Sequence, residues 1–586
     1  MFSKNSTHHF FQSETLKEVY TFIGMLLFSF LLLNVLLIIP IRFNGDSFFH
    51  LSRMESIHGN PLNFLYPQNF LSLGRIGGTT NIFYPVGVLN FIVNLIPTNI
   101  GILGTYRLTV VLILYINILS MYSVLRYFIK APLLNSFLAS ILWGTLIITF
   151  DIGTIGGEIL AKIAFPFVAV GLYYFKKRNG WILLSFGLIL SISSHILTSL
   201  FLIVFTLLYL LVEFIKTKKN KLNFVVKGMK AAIATVLGSQ YIIFPMVMLY
   251  ANNKINTPPQ MASAFVDYQL VYLSGIITDP TFIVMAVFII LSIIYEKKYS
   301  IGILLFTLSG TTAFIWPYIF NHTILNIIQF PYRLFNWGIC LAFVFAIITL
   351  SRIQIPIQWK KVVTISLLFL CFLLGTAIHK SFFSKVSNDT GYILTISKED
   401  VIKSFQEGHD GQHLGEYGSF TGTIFNQPEV WSLMNYSDYS PSEGLNDPQT
   451  KFLFWDQKAK NIVAHRLTKN ANDNIPTTHF KTTASEISFR PTKSISKSTI
   501  ELPVMGYKAN KVKVFINHSE IPFTIQDGRI TIDAAVTAKD TVYIKQFIPL
   551  WRLIPFFVST LTIVVLIFLI LRKHLFVKSQ TFWSKL

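Results

Sequence analysis

The chain has 586 residues, of which 52% are hydrophobic and only 13% charged, with 54 phenylalanines. Soluble domains carry about 25% charged residues, so composition excludes an ordinary soluble protein and points to a polytopic membrane protein with one large embedded domain plus something smaller. The net charge of +21 does not mark a nucleic-acid binder: the basic residues cluster at the ends of apolar runs, as positive-inside topology requires, and the partners it implies are membrane lipids.

The first apolar run, 20–41, is too long for a signal-peptide core and has no small-residue cleavage site after it. Apolar runs of about 17–25 residues are membrane-helix candidates. They fall at 20–41, 106–128, 132–150, 159–175, 181–194, 196–215, 231–251, 281–295, 301–318, 334–350, 362–378 and 550–571. The predicted fold class is therefore a mainly α polytopic membrane protein with about twelve transmembrane helices. Cys340 and Cys371 both lie in apolar runs and suit neither a disulfide framework nor a zinc site.

Basic clusters fall on alternate connections: Arg126 and Lys130, Lys176 to Arg178, Lys216 to Lys230, Lys297 and Lys298, Arg352 to Lys361, Arg572 and Lys573. All share one face if the N-terminus is cytoplasmic and the stretch 82–97 does not cross. That stretch contains Pro85, Gly87 and Asn90 and is expected to lie along the interface or re-enter. The opposite face then collects Asp46, His50, Arg53, Arg75, Asp151, Glu158, Lys162, His195, Asp267, Asp279, Gln329 and Arg333, a mixture of acids, histidines and lone arginines. Ionisable groups at a membrane boundary are costly and often functional.

Asp46, His50 and Arg53 are spaced four and three apart, so they share one face of a helix. In the chemical reading Asp46 is a general base or metal ligand, His50 assists it, and Arg53 meets a phosphate; an amphipathic interfacial helix with an internal Asp–Arg contact has the same pattern. The loop from Asp151 to Glu158 holds three glycines between its two acids, which allows close backbone approach to a ligand. Its carboxylates suit Mg²⁺ or Mn²⁺, or else Glu158 simply pairs with Lys162 one turn on. His195 stands between two apolar runs among hydroxyl residues that would satisfy it. Gln329 and Arg333 flank Phe-Pro-Tyr before the run at 334–350, and an arginine there runs against the positive-inside trend and suits bidentate phosphate binding. Lys162 is a candidate of the same kind, with snorkelling as the alternative.

From 379 to 548 the chain turns polar, and its end alternates between turn residues around Lys511–Ile516, 528–533 and 540–545, the period of antiparallel strands. A β-rich extracytoplasmic domain of roughly 170 residues is predicted there. The organisation is thus an embedded domain over 1–378 with its first outer loop at 42–105, the β-rich domain over 379–548, and a final membrane helix with a short basic cytoplasmic tail over 549–586. No P-loop, nucleotide-binding glycine fingerprint or Gly-x-Ser-x-Gly elbow is present, so neither ATP-driven transport nor serine hydrolysis has a sequence handle.

The residues Gly45-Asp46-x-x-x-His50-x-x-Arg53, Phe83-Tyr84-Pro85, Ser194-His195-x-x-Thr198 and Gln329-Phe-Pro-Tyr-Arg333 resemble a family of bacterial multi-pass proteins labelled YfhO-like or 6-pyruvoyl-tetrahydropterin synthase-related. That family is similar in plan to GT-C glycosyltransferases. The resemblance implies a plasma-membrane enzyme using a lipid-linked sugar donor, with an envelope polymer acceptor such as a teichoic acid or surface polysaccharide. It maps the acidic residue of the first outer loop onto Asp46 and the second acidic loop onto Asp151 and Glu158, although the first outer loop has no Asp-x-Asp. It makes Asp46 and His50 catalytic, Arg53, Lys162 and Arg333 phosphate-binding, and His195 and Gln329 supporting. A non-enzymatic transporter or assembly partner for lipid-linked envelope precursors is the alternative, and a scaffold whose outer domain binds a partner is a third.

Overall fold

The structure, a computed structural model, describes residues 4–34, 45–71, 75–151, 157–176, 179–255, 280–296, 304, 332–353, 356, 358–359, 361–371, 373–374, 461–462, 465–470 and 473–583. It is mostly helical, with a β-rich sheet before the last helix. The helices are α1 (Lys4–Leu32), α2 (Gly45–Ile57), α3 (Thr80–Phe83), α4 (Gly87–Val93), α5 (Gly101–Ser123), α6 (Leu133–Asp151), α7 (Gly157–Ala161), α8 (Phe165–Tyr173), α9 (Gly180–Ile192), α10 (Ile196–Lys216), α11 (Lys221–Gly238), α12 (Gln240–Asn252), α13 (Pro280–Tyr295), α14 (Tyr332–Leu350), α15 (Lys361–Cys371) and α16 (Leu550–Trp583).

Among the described residues five helices are long and apolar enough to cross a membrane: Thr15–Leu32, Gly104–Ile129, Ile196–Lys216, Arg333–Leu350 and Leu550–Arg572. The bent pair α11–α12 makes a sixth if it counts as one span. Helices α6, α9, α13 and α15 are apolar but shorter. The expected runs over 301–318 and 379–460 lie outside the described residues, save position 304. One apolar core, including Trp143, Phe165, Phe175 and Trp337, runs through the bundle. Helices α5 with α6, α8 with α9, and α13 with α14 pack against each other.

Two polar layers mark the ends of the bundle. At the far end Glu18 of α1 takes Arg126 Nε at 2.8 Å and the Tyr122 hydroxyl, Lys176 Nζ meets Glu213 Oε2 at 2.7 Å, and Arg352 lies 3.9 Å from Glu296. Arg126, Lys176 and Arg352, each in a basic loop of the sequence, are thus each held by an acid of another segment. At the other end the chain reaches α2, the loop before α10 and the start of α14, and there the sheet docks. The stretch 82–97 does not traverse the bundle. Its helices have four and seven residues, and seven residues span about 10 Å against a hydrocarbon core of about 30 Å. Asn90 Nδ2 donates to Pro61 O at 3.0 Å, Asn94 Nδ2 to Ile57 O at 3.0 Å, and His58 Nε2 to Ile96 O at 2.9 Å. The middle of α4 and the residues just past its C-terminal end are therefore tied to the end of α2 and the turn after it.

Two runs expected to be continuous are broken. The run 159–175 is α7, a single 3-10 turn at Lys162–Ala164, and then α8. The run 231–251 bends by 65° between α11 and α12. The polar atoms freed there are taken by α16. Pro245 has no N–H, so the Tyr241 carbonyl loses its helical donor; Arg552 supplies one at 2.5 Å and reaches Phe64 O at 2.7 Å with its other amino group. Ser559 Oγ accepts from Tyr241 N–H at 3.1 Å and donates to Leu237 O at 3.0 Å.

Among the described residues the sheet has nine strands: β1 (Arg466–Lys469), β2 (Asp473–Thr482), β3 (Glu486–Pro491), β4 (Ile495–Met505), β5 (Lys511–Ile516), β6 (Ser519–Ile521), β7 (Phe523–Gln526), β8 (Arg529–Val536) and β9 (Val542–Phe547), in the order β6-β5-β9-β3-β2-β1-β4-β8-β7. Its three alternating segments from the sequence are β5, β8 and β9. Every pairing is antiparallel, with Val514 opposite Ile544 and Ile500 opposite Ile532. The two edge strands, β6 and β7, are consecutive in the chain and separated only by Pro522. One bent segment thus supplies both edges, and the sheet curls around an apolar core into a barrel-like form. Such closure removes exposed edges that would otherwise pair with other chains.

Candidate functional site

The end of the bundle that meets the sheet gathers polar side chains from separate segments. His50 and Arg53 stand three apart on α2, on one face of the helix, and both are buried. Arg53 donates from one amino group to His50 Nδ1 at 3.0 Å, and from the other to Tyr84 O at 3.0 Å and Pro85 O at 3.1 Å. Its guanidinium carbon also lies 4.2 Å from the centre of the Tyr84 ring, within cation–π range. The local sequence explains the receptor. A residue before proline is driven to extended backbone, and Tyr84 has φ −113° and ψ 92°; Pro85 carries no N–H. Two successive carbonyls are therefore left to face one guanidinium fork.

Because a guanidinium can only donate, His50 Nδ1 is the bare nitrogen and its proton sits on Nε2. Burial, and then the nearby Arg53 and His195, hold the His50 imidazole well below its ordinary pKa of 6.5, so it is neutral. His195 caps α10. Its Nδ1 accepts from Thr198 N–H at 3.3 Å and pairs with Thr198 Oγ1 at 2.8 Å, so the same tautomer is fixed there. The rings form a continuous line: His50 to Tyr84 at 5.6 Å, Tyr84 to His195 at 5.4 Å, His195 to Trp337 at 6.3 Å.

Glu158 closes the line. Its Oε1 lies 2.8 Å from Arg333 Nε, and its Oε2 accepts from Trp337 Nε1 at 3.4 Å. Both charged side chains are about one fifth exposed, 17% for Glu158 and 20% for Arg333. Gly157 makes this approach possible: a Cβ there would sit 2.4 Å from Ser194 O and 3.1 Å from both His195 Cβ and Tyr84 Cε1. Lys162, in the 3-10 turn that follows α7, is fully buried.

The structure thus brings His50, Arg53, Glu158, His195 and Arg333 to one end of the bundle. Of the other predicted residues, Asp46 and Asp151 fall in α2 and α6, but their side chains lie outside the described residues, as does Gln329 altogether. Glu158 is committed to Arg333 and Trp337. Among the described residues no three His, Cys, Asp or Glu side chains come together; of the expected metal pair, the Asp151 side chain lies outside them. Sequence reasoning did not single out Tyr84 or Trp337 as site residues. Tyr84 was visible only as part of Phe83-Tyr84-Pro85, and Trp337 only as an aromatic one turn beyond Arg333.

The described cluster holds the Arg53 and Arg333 guanidinium groups, the Glu158 carboxylate and the His50 and His195 imidazoles. An anionic group can displace Glu158 from Arg333, and a neutral imidazole beside it can take or pass a proton. No family model, curated protein or solved structure matches the chain.

Proposed function

We propose that the chain is an integral membrane glycosyltransferase of GT-C plan. It would move a sugar from a polyprenyl-phosphate-linked donor to a cell-envelope acceptor, a teichoic acid or surface polysaccharide, at the outer face of a bacterial plasma membrane. The reading carries the sequence-based topology with it: about twelve crossings, a cytoplasmic N-terminus, and the polar cluster and sheet on the exterior.

One observation supports it above the rest: Arg53, Arg333, Glu158, His50 and His195, drawn from four segments, meet at the bundle end where the sheet docks. A membrane-boundary cluster of cations and imidazoles is suited to a phosphate whose lipid tail stays in the bilayer. The donor phosphate meets Arg333, Arg53 or Lys162, and Glu158 yields its place on Arg333. The bond between the sugar's anomeric carbon and the phosphate oxygen breaks, and the phosphate keeps the electron pair. The acceptor oxygen bonds to the same carbon and loses its proton to the Asp46 carboxylate, with His50 assisting. The fixed guanidinium groups stabilise the charge that develops on the leaving phosphate. No step is routed through a divalent ion.

The test is envelope glycan composition in cells carrying Asp46→Ala at normal protein level, alongside sugar transfer by the purified protein from a polyprenyl-phosphate sugar. Loss of both is expected. Unchanged glycans remove Asp46 from the chemistry, and full function in Asp46→Asn supports a transporter or assembly partner instead.

A further inference from the structure

Between α2 and α3 the chain leaves the bundle and enters the sheet. Residues 68–71 and 75–78 form the two sides of this tongue, joined where Asn69 N–H donates to Gly78 O at 3.1 Å. Phe70 is fully buried and belongs to the core of the sheet, with Ile487, Phe489 and Ile544. Backbone bonds pin both sides: Phe70 N–H to Ala484 O at 3.3 Å, and Met505 N–H to Ile76 O at 2.9 Å. The Gln68 side-chain amide donates to Met505 O. Gly77 has φ +81°, and a Cβ there would lie 2.7 Å from Gln68 Nε2 and 2.9 Å from the Phe70 ring. The tongue therefore needs glycine at that position, for conformation and for space.

The root of the tongue is tied to the last turns of α2. Asn69 Nδ2 donates to Ser56 O at 2.9 Å, and Asn81 Nδ2 to Ser56 Oγ at 2.7 Å; Ser56 Oγ donates in turn to Arg53 O at 2.7 Å. Arg75 spans from helix to sheet, 3.1 Å from Glu55 Oε1 and 3.3 Å from Thr482 Oγ1. Glu55 and Ser56 are the second and third residues after Arg53, within one helical turn of it. A helix is stiff over one turn of 5.4 Å, so whatever fixes Glu55 and Ser56 also fixes Arg53 and His50.

We propose that the β-sheet domain positions His50 and Arg53 through this tongue, with Phe70 as its anchor in the sheet and Arg75 and Ser56 as the positioning residues at its root. The coupling is independent of which reaction the site performs, because it rests on where the two side chains are held. In physical terms the sheet acts as a clamp on α2. Any displacement of β2 or β4, the strands that end in Thr482 and Met505, is passed to the helix that bears the candidate site.

Amide hydrogen–deuterium exchange on the full-length protein in lipid nanodiscs tests this. In Phe70→Ala, exchange over residues 50–57 and over the sheet should rise together, by about tenfold or more, while α5 keeps its wild-type protection. Phe70→Leu, which refills the pocket, should restore most of the protection in both places. Thr482→Val removes only the distal acceptor of Arg75. It should speed exchange at 50–57 by about fivefold, the loss of one hydrogen bond, with the sheet's protection unchanged. This second variant decides the matter if Phe70→Ala does not fold. Wild-type exchange at 50–57 in Thr482→Val, or sheet loosening in Phe70→Ala without change in α2, overturns the proposal.

Discussion

Glu158 Oε1 lies 2.8 Å from Arg333 Nε, joining a short helix near the middle of the chain's first half to the first turn of α14. The pair is partly buried, and the Trp337 indole holds the second carboxylate oxygen. Removing one partner takes this contact from the other charge, which is short of solvent. Glu158→Gln and Arg333→Met are each expected to cost about 1–3 kcal/mol, between the values for exposed and fully buried pairs. The double variant should cost less than the sum of the two. Thermal unfolding of the purified protein measures all three, and strict additivity would show that the contact carries no energy.

His50 offers Arg53 a bare nitrogen, not a proton. His50→Phe keeps the aromatic edge against Tyr84 but leaves an arginine amino group facing carbon, at a cost of about 1–3 kcal/mol. His50→Asn, whose side-chain oxygen can stand near the place of Nδ1, should recover part of that. Equal stability of the two variants would mean that the 3.0 Å bond contributes nothing.

Gly157 and Gly228 give opposite expectations for the same substitution. A methyl group at 157 meets Ser194 O at 2.4 Å, whereas one at 228 meets nothing within 4 Å. Gly157→Ala should destabilise by about 1–3 kcal/mol through overpacking. Gly228→Ala, in the middle of α11, should be neutral or stabilise by up to about 1 kcal/mol. Similar unfolding temperatures for the two would contradict the close approach of α7 to the loop before α10.

Glu55 sets a pH dependence. Burial raises its carboxyl from 4.5 to about 7, against the opposing pull of Arg75. The folded protein therefore binds this proton more tightly than the unfolded chain. Its stabilising contribution is full below pH 4.5, is lost as pH rises towards 7, and changes no further above that. Glu55→Gln lacks this slope, so the variant should gain on the wild type between about pH 5 and pH 7. Unfolding midpoints at pH 5, 6, 7 and 8 check the sign; parallel curves would place the Glu55 titration outside that window.

Arg552 is expected to matter for the shape of the bundle more than for its charge. It donates to the Tyr241 carbonyl that Pro245 leaves open and to Phe64 O. Arg552→Met should therefore destabilise by about 2–4 kcal/mol, as two buried carbonyls lose a charged donor. Arg552→Met in a Pro245→Ala background should cost less, because the restored N–H takes over the Tyr241 carbonyl. Equal costs in the two backgrounds would detach the arginine from the helix break.

Much of the plan was legible from the chain itself. Hydrophobic runs marked apolar helices because burying apolar side chains is a local, additive demand, but among the described residues five helices, or six with the bent pair, and not twelve are long and apolar enough to cross a membrane. Alternation located β5, β8 and β9 for the same reason, since side chains in a strand change faces at every residue. The spacing of His50 and Arg53 put them on one face of α2 without any tertiary information. Pro85, Gly87 and Asn90 marked 82–97 as a stretch that does not run straight through as one helix, but not the short helices it forms. What the sequence alone determined, then, is which segments are apolar, which ends carry charge, and which neighbours on one helix share a face. The partners were decided only by tertiary structure. Glu158 pairs with Arg333, 175 positions further along the sequence, not with Lys162 one turn away, and Tyr84 lies between two histidines that no periodicity connects. Phe70, an ordinary aromatic of a polar loop, fills the core of a sheet nearly 400 residues further on. Periodicity fixes only what neighbours on one element do; a contact between distant segments depends on the joint packing of every element between them, and no local pattern encodes that.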